Sequence, residues 1–127
     1  MVGSPSLRAG AAPLLLELLA HPQQAPALDL DQWDLLVRVA RSTRLLAELG
    51  VRMERSGVLD QIPARARAHV ISERAFVRYL QKSAEIELRR LSRILDQLDV
   101  PAILLKGAAY IAQRLPIAEG RSMGDVD

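Results

Sequence analysis

The sequence predicts a mainly α-helical fold: a helical bundle with one long helix, followed by the first strand, helix and strand of an incomplete α/β core. Hydrophobic residues make up 50% of the 127 residues but aromatic residues only 3%, so leucine and alanine must build the core. Apolar residues recur with helical spacing along most of the chain. After Asp99 this spacing gives way to a short apolar run typical of a buried strand. We therefore expect a helical region over residues 1–99 and the start of an α/β core over residues 100–127.

The charge and the residue types exclude several classes of protein. Lysine and arginine together number 17, and aspartate and glutamate 15, so the formal net charge of +2 identifies no partner by itself. The absence of cysteine excludes a disulfide framework, a thiolate metal site and a cysteine nucleophile, and it suits a reducing cytoplasm. No apolar run approaches the roughly 20 residues of a membrane-spanning helix. We therefore expect a soluble, cytoplasmic protein.

The first part of the chain contains the short helices of the predicted bundle. Pro13 suits the first turn of a helix over Leu14–Ala20. After a linker that contains proline, Asp29 or Asp31 is placed to cap a second helix. Trp33 shares the apolar face of this second helix, so we expect it to anchor the core.

The longest helix follows a less regular region. The helical pattern weakens near residues 42–43 and stops at about 56–57, so one bent helix and two separate helices both fit. Pro63 then opens a helix that runs to about Leu98 and spans roughly 54 Å. Its apolar positions recur every seven residues and predict a seam for partner helices. The seam consists of Val70, Val77, Ala84, Leu91 and Leu98, with Leu88 and Leu95 beside it in the second half.

The same helix carries a basic face, which falls within about one quadrant when residues are placed at about 100° intervals. Its members are Arg67, Arg74, Arg78, Lys82, Arg89 and Arg93. Such a stripe suits nucleic-acid phosphates and defines an alternative function, a non-enzymatic helical interaction or nucleic-acid-binding module that uses the helix 63–98. Acidic residues along the same helix and the scarcity of aromatic residues for base stacking favour a solvated face with Glu/Arg pairs.

The first candidate residues for a functional site follow the long helix. Pro101 interrupts the helix, and Ala102–Leu105 is a short apolar run typical of a buried strand. Lys106-Gly107 ends this strand, and Ala108–Leu115 is expected to form a helix. A glycine at a strand-to-helix turn lets a phosphate approach the backbone, although many such glycines serve only the backbone angles. The helix start would supply free N–H groups, and Lys106 would add a mobile positive charge.

Two carboxylates stand close together in the Asp125-Val126-Asp127 segment. Both acids point the same way if this segment is a strand. Like charges on one side repel each other, and a divalent cation such as Mg²⁺ neutralises them because it prefers carboxylate and phosphate oxygens. A D-x-D pair alone is common in solvated loops, so the order of strand, turn, helix and acidic pair supports a metal site more strongly than the pair itself.

Two blocks of the sequence, the first from Asp99 to Ala109 and the second from Arg121 to Asp127, resemble a known family, the uncharacterised bacterial nucleotidyltransferases of the polymerase-β-like superfamily. In that family a helical N-terminal region precedes the catalytic core. The stretch from Asp99 to Ala109 is similar to that family's strand and L-K-G-A-A turn. The stretch from Arg121 to Asp127 is similar to its R-x-x-x-D-h-D segment, where h is hydrophobic. Ala108 stands where the wider superfamily usually has serine or glycine, and the spacing between the blocks is longer than is common there. These departures concern the phosphate contacts more than the metal site.

The resemblance implies a reaction and a set of site residues. Asp125 and Asp127 would be catalytic and would bind two Mg²⁺ ions, so that a nucleoside monophosphate passes from an NTP to an acceptor by a two-metal mechanism. The acceptor is left open between protein, RNA and a small molecule. The residues implied to bind the nucleotide are Lys106, Gly107, Ala108 and Arg121. The superfamily adds a third carboxylate from a later strand, which this sequence lacks, so we expect a truncated core without transferase activity of its own.

Overall fold

The fold is mainly α-helical, as the sequence predicts. The structure, a computed structural model, describes residues 10–121. The α-helices are α1 (Ala11–Ala20), α2 (Leu30–Ser42), α3 (Leu46–Arg55), α4 (Ala64–Leu98) and α5 (Lys106–Ala112). Short 3₁₀ helices cover Pro22–Ala27, Leu59–Gln61 and Pro116–Ala118. Within this described part of the chain, no helix combines the length and the apolar character that crossing a membrane requires.

A capping box starts α2. The Oδ1 atom of Asp29 accepts a hydrogen bond from the backbone N–H of Gln32 at 2.7 Å, and Oε1 of Gln32 accepts one from the backbone N–H of Asp29 at 2.9 Å. These reciprocal bonds satisfy two N–H groups at the helix start, so Asp29, and not Asp31, is the cap. Trp33 lies in the first turns of α2 and is only 2% exposed, which confirms it as a core residue.

Two separate helices, α2 and α3, follow the cap instead of one bent helix. Arg44 adopts a left-handed backbone with φ 60°, which ends α2. Its N–H donates to the carbonyl of Arg41 at 3.1 Å, and the N–H of Leu45 donates to the carbonyl of Ala40 at 2.7 Å. This pair of bonds is the Schellman motif, which satisfies the last carbonyls of a helix and turns the chain away. The left-handed residues that end the later helices in the same way are Gly57, Asp99 and Arg114.

The main core lies where α2 and α3 pack on the first half of α4 and α1 packs on α2 and α3. Its largest fully buried side chains are Leu18, Leu36, Leu46, Leu49, Met53 and Val70. Each such side chain contributes roughly 1.5–3 kcal/mol to folding, so this cluster dominates the stability of the domain. Gly50 permits the close crossing of α3 over α4, because a Cβ atom there would lie 3.0 Å from Cδ of Arg74 and nearer still to Cγ1 of Val70.

The predicted seam of α4 is only half covered. Val70, Val77 and Ala84 are buried, as predicted, whereas Leu91 is 41% and Leu98 64% exposed. The helices of the bundle reach only the first half of α4, and α5 packs farther along, around Ala84. A second, smaller cluster forms there from Ala84, Ala108, Ile111 and Ala118, with Leu88 and Tyr110 packed against it.

The segment between α4 and α5 differs from the sequence prediction. The described residues form no strand at Ala102–Leu105, although the backbone of Leu105 is extended, with φ −120° and ψ 159°. A β-strand needs a hydrogen-bonded neighbour, and the predicted partner segment falls mostly on residues 122–127, outside the described residues. Ile103 is 84% exposed, so the apolar run is not buried by the described residues.

Candidate functional site

The first predicted block lies at the start of α5. This helix begins at Lys106, two residues earlier than predicted, and it ends at Ala112. Gly107 is therefore a buried residue of the first helical turn and not a residue of a preceding loop. The left-handed backbone angle expected of the glycine falls instead on Lys106, with φ 54°. Ala108 is 1% exposed, because its methyl group packs into the second cluster.

The chain that leads into the second predicted block packs on this helix. Ala118 belongs to the same buried cluster as Ala108 and Ile111, so the chain that leads to the acidic pair packs on α5. Three residues later the guanidinium carbon of Arg121 lies 5.2 Å from the centre of the Tyr110 ring. A cation over an aromatic face at this distance stabilises the pair by roughly 0.5–1 kcal/mol at an exposed site. The structure thus places Arg121, the first residue of the second block, beside α5, the helix that carries the end of the first block.

Hydrogen bonds and an ion pair also hold the segment 118–121 against the helical bundle. The amide Nε2 of Gln81 donates to the carbonyl oxygens of Ala118 and Arg121, the second at 2.9 Å. Arg55 at the end of α3 forms an ion pair with Glu119. Gly120 is buried so closely against α3 that a Cβ atom there would lie 2.6 Å from the Cα atom of Glu48. Contacts from both α3 and α4 therefore hold this segment.

Sequence reasoning missed Gln81, although the sequence contains a signal for it. Gln81 comes four residues after Val77 and three before Ala84, so it shares the apolar face of α4. Both of those neighbours are buried, and Gln81 itself is partly buried. A polar side chain on an apolar face must find hydrogen-bond partners when it is covered. The partners that Gln81 finds are backbone carbonyls of the candidate site.

The two predicted metal ligands, Asp125 and Asp127, lie outside the described residues. Over residues 10–121, no group of three or more His, Cys, Asp or Glu side chains is placed to hold a metal ion. Two acidic residues in or beside the segment 118–121 form ion pairs. Glu119 pairs with Arg55, and Glu48 pairs with Arg52 at 3.0 Å. Any metal site that includes Asp125 therefore depends on how the chain after Arg121 is placed.

A cleft of about 720 Å³ opens beside the candidate site, between the second half of α4, residues 100–104 and α5. Its apolar wall includes Leu88, Leu95 and Ile111, and its polar lining includes Arg89 and Arg114. The cleft follows from the uncovered half of the seam, since Leu91 also borders it and is exposed.

The basic face of α4 is partly used by the fold. The side chain of Arg74 is only 11% exposed, and its Nη2 lies 2.6 Å from Oε2 of Glu54. Arg67 donates from Nη1 to the carbonyl oxygen of Asp60 at 3.2 Å. Both arginines therefore stabilise the bundle, so these two positions of the basic face are not simply solvated. The members that remain exposed are Arg78, Lys82, Arg89 and Arg93. Nucleic-acid binding by this face stays a prediction.

The fold and the site together define a protein in which a helical bundle holds the lysine-glycine block and the chain that leads to an acidic pair. The family model described as "Uncharacterised nucleotidyltransferase" matches residues 29–127, more than three quarters of the chain, and the chain belongs to this family. The match begins at the α2 cap, so the bundle from Asp29 onward is part of the family and not an unrelated addition. No curated protein and no solved structure matches the chain.

Proposed function

We propose that this chain takes part in the transfer of a nucleoside monophosphate from an NTP to an acceptor, with Asp125 and Asp127 as the metal-binding and catalytic carboxylates. The observation that carries the proposal is that the chain leading into the second block packs on α5, through the shared cluster of Ala118 with Ala108 and through Arg121 over Tyr110. A nucleotide site built from these two blocks needs such proximity, because the phosphates must contact both the metal and the backbone at the helix start. Membership of a nucleotidyltransferase family supports the same reaction class.

The donor chemistry of the two aspartates fits Mg²⁺. Carboxylate oxygens are the protein ligands that Mg²⁺ prefers, and it completes its coordination with waters and substrate phosphates. Bound there, Mg²⁺ would supply charge neutralisation on the phosphates and would lower the pKa of an attacking hydroxyl. Asp125 and Asp127 would hold and orient this charge, since a spacing of two residues would put both carboxylates on one side if the segment is a strand.

The residues at the start of α5 and beside it would handle the triphosphate. Lys106 is exposed at the first position of α5, and its ammonium would offset the negative charge of a phosphate there. Gly107 and Ala108 are buried and would contribute through their backbone N–H groups alone, because helix-start N–H groups have no partner within the helix. Arg121 would offset charge through its guanidinium, whose planar donors suit phosphate oxygens.

A metal-binding titration on the whole chain tests the proposal. We expect Mn²⁺, used as a paramagnetic replacement for Mg²⁺, to bind the chain in the presence of ATP, and we expect the double variant Asp125→Asn, Asp127→Asn to lose that binding. The matched control is the double variant Glu85→Gln, Asp96→Asn, which removes the same charge from exposed positions on α4. Free Mn²⁺ is measured by electron paramagnetic resonance. Equal binding by the wild type and the Asp125, Asp127 variant would rule the proposal out.

A further inference from the structure

We infer that the outward side of α4 is a binding surface for single-stranded nucleic acid. The binding is a second function of the chain, and it does not depend on the proposed transfer reaction. We call this side of α4 the outer basic surface. Its members, all exposed, are Phe76, Arg78, Tyr79, Lys82, Ile86, Arg89, Arg90 and Arg93.

The five basic residues of this surface form one positive stripe. At about 100° per residue they fall within about one third of the circumference of α4. The stripe runs from Arg78 to Arg93 and is therefore roughly 22 Å long, at 1.5 Å per residue. The two acidic residues of this stretch, Glu85 and Glu87, fall outside the stripe, one on each side. The stripe is long enough for several successive phosphates, which are spaced by about 3.4 Å along a stacked strand.

The fold does not use these five cations. None of them forms an ion pair or a hydrogen bond with another residue of the described range 10–121. Glu85 precedes Arg89 by four residues, which is the spacing of a helical ion pair, yet the two are not paired. This distinguishes the stripe from Arg74, whose guanidinium contacts Glu54 and is nearly buried. The charge of the stripe is thus available to a partner.

Aromatic side chains suited to base stacking lie beside the stripe. Two of the four aromatic residues of the chain, Phe76 and Tyr79, are three residues apart and hence neighbours on α4. Phe76 is 55% and Tyr79 67% exposed, so neither ring is used by the core. An exposed ring can stack on any base, because every base has a π face. The surface therefore combines the two elements of a single-strand site, a charged track for the backbone and a platform for bases.

Charge complementarity favours this partner over two others. A second copy of the chain, paired symmetrically through this surface, would present the same five cations, and like charges repel. An anionic bilayer would have to take up Phe76 and Ile94, and the exposed carboxylate of Glu87 on the same side of α4 would be repelled by its headgroups. A polynucleotide meets neither obstacle, since its phosphates contact the stripe and its bases the rings.

The test is the binding of a fluorescein-labelled single-stranded RNA of about 12 nucleotides to the full chain. Fluorescence anisotropy gives the Kd between about 50 and 200 mM salt. The double variant Arg78→Gln, Arg89→Gln removes two charges from the stripe, and the matched control, Arg44→Gln, Arg65→Gln, removes two from exposed arginines outside it. Tyr79→Ala removes a ring that Tyr79→Phe retains. Circular dichroism checks that each variant keeps the helix content of the wild type.

We expect the wild type to bind the RNA with an affinity that falls as salt rises, because the bound cations release counterions from the phosphates. The Arg78, Arg89 variant should weaken binding and lower the slope of log Kd against log salt by about 1.4, at about 0.7 for each lost contact. The control pair should leave the slope unchanged. Tyr79→Ala should weaken binding by about tenfold without changing the slope, and Tyr79→Phe should bind as the wild type does.

Four results would overturn the inference. The first is no binding by the wild type at the lowest salt. The second is an equal effect of the two arginine pairs, because binding would then follow net charge alone. The third is unchanged binding by Tyr79→Ala, which would leave the ring without a part in recognition. The fourth is binding of phosphatidylserine-containing vesicles or of polyglutamate at least as tight as that of the RNA, which would assign the surface to a membrane or to an acidic protein.

Discussion

The close crossing of α3 over α4 at Gly50 predicts whether an alanine at this position stabilises or destabilises the protein. In an ordinary helix, replacing glycine by alanine stabilises the protein by about 1 kcal/mol. Here the new methyl group would meet Cγ1 of Val70 closer than van der Waals contact allows, and Val70 is fully buried and β-branched, so it cannot rotate away at low cost. Overpacking of this kind costs about 1–3 kcal/mol. We expect Gly50→Ala to lower the free energy of unfolding by about 1 kcal/mol net, measured by urea unfolding with circular dichroism.

A double-mutant cycle with Val70→Ala isolates this contact. Removing the γ-methyl groups makes room for the new Cβ atom, so Gly50→Ala in the Val70→Ala background should become stabilising, by about 0.5–1 kcal/mol. Gly57→Ala is the control, because Gly57 has φ +72° and no atom lies within 4 Å of where a Cβ would be. The expected loss of roughly 1–2 kcal/mol in the free energy of unfolding therefore comes from the backbone conformation. It should be the same with and without Val70→Ala. The reasoning is wrong if Gly50→Ala raises the free energy of unfolding of the wild type. It is also wrong if Gly50→Ala is still destabilising in the Val70→Ala background.

Two further predictions concern single side chains of the bundle, both measured as changes in the free energy of unfolding. Asp29→Ala should lose about 1 kcal/mol because it destroys the capping box, while Asp31→Ala, two residues later in the first turn, should lose no more than about 0.5 kcal/mol. Equal losses would contradict the assignment of Asp29 as the cap. Arg74→Ala should lose about 1–2 kcal/mol because its side chain is 11% exposed, whereas Arg38→Ala, 73% exposed, should stay within about 0.5 kcal/mol; a neutral Arg74→Ala would contradict a structural role.

The starts of α2 and α4 were predictable because their signals are local, whereas α1 and α5 begin earlier than predicted. Asp29 sits at a position where a short acidic side chain can reach the N–H groups ahead of it, and Pro63 precedes α4 as predicted. Two helix ends also fall where they were predicted, since α1 ends at Ala20 and α4 at Leu98, but the backbone conformation at the ends was less predictable. Gly57 is a visible stop signal, but Arg44 and Arg114 adopt the same left-handed backbone without any residue preference that would announce it. Tertiary packing of the following segment determines such ends, and that information is not local.

The candidate site was predictable in outline only. The order of the blocks suggested that Lys106-Gly107 and the chain before Asp125 belong to one site, and the shared cluster of Ala108 and Ala118 agrees with that adjacency. The contacts that create it involve α3 and α4, far away in the sequence, and periodicity cannot show which residue of a helix meets which distant turn. The roles of Asp125 and Asp127 stay predictions, since those residues lie outside the described part of the chain.

Because only half of the seam is covered, the two halves of α4 differ in their stability against local unfolding, although α4 is one continuous helix. Residues near Val70 and Val77 can leave the helix only if the main core opens, because their side chains are completely enclosed. The turns around Leu91 and Leu98 lose little buried surface when they fray, so they open in smaller and more frequent fluctuations. Gln81 and Ala84 stand at the boundary between these two regimes. The turn before the acidic pair is therefore attached to the last rigid part of α4, and not to its fluctuating end.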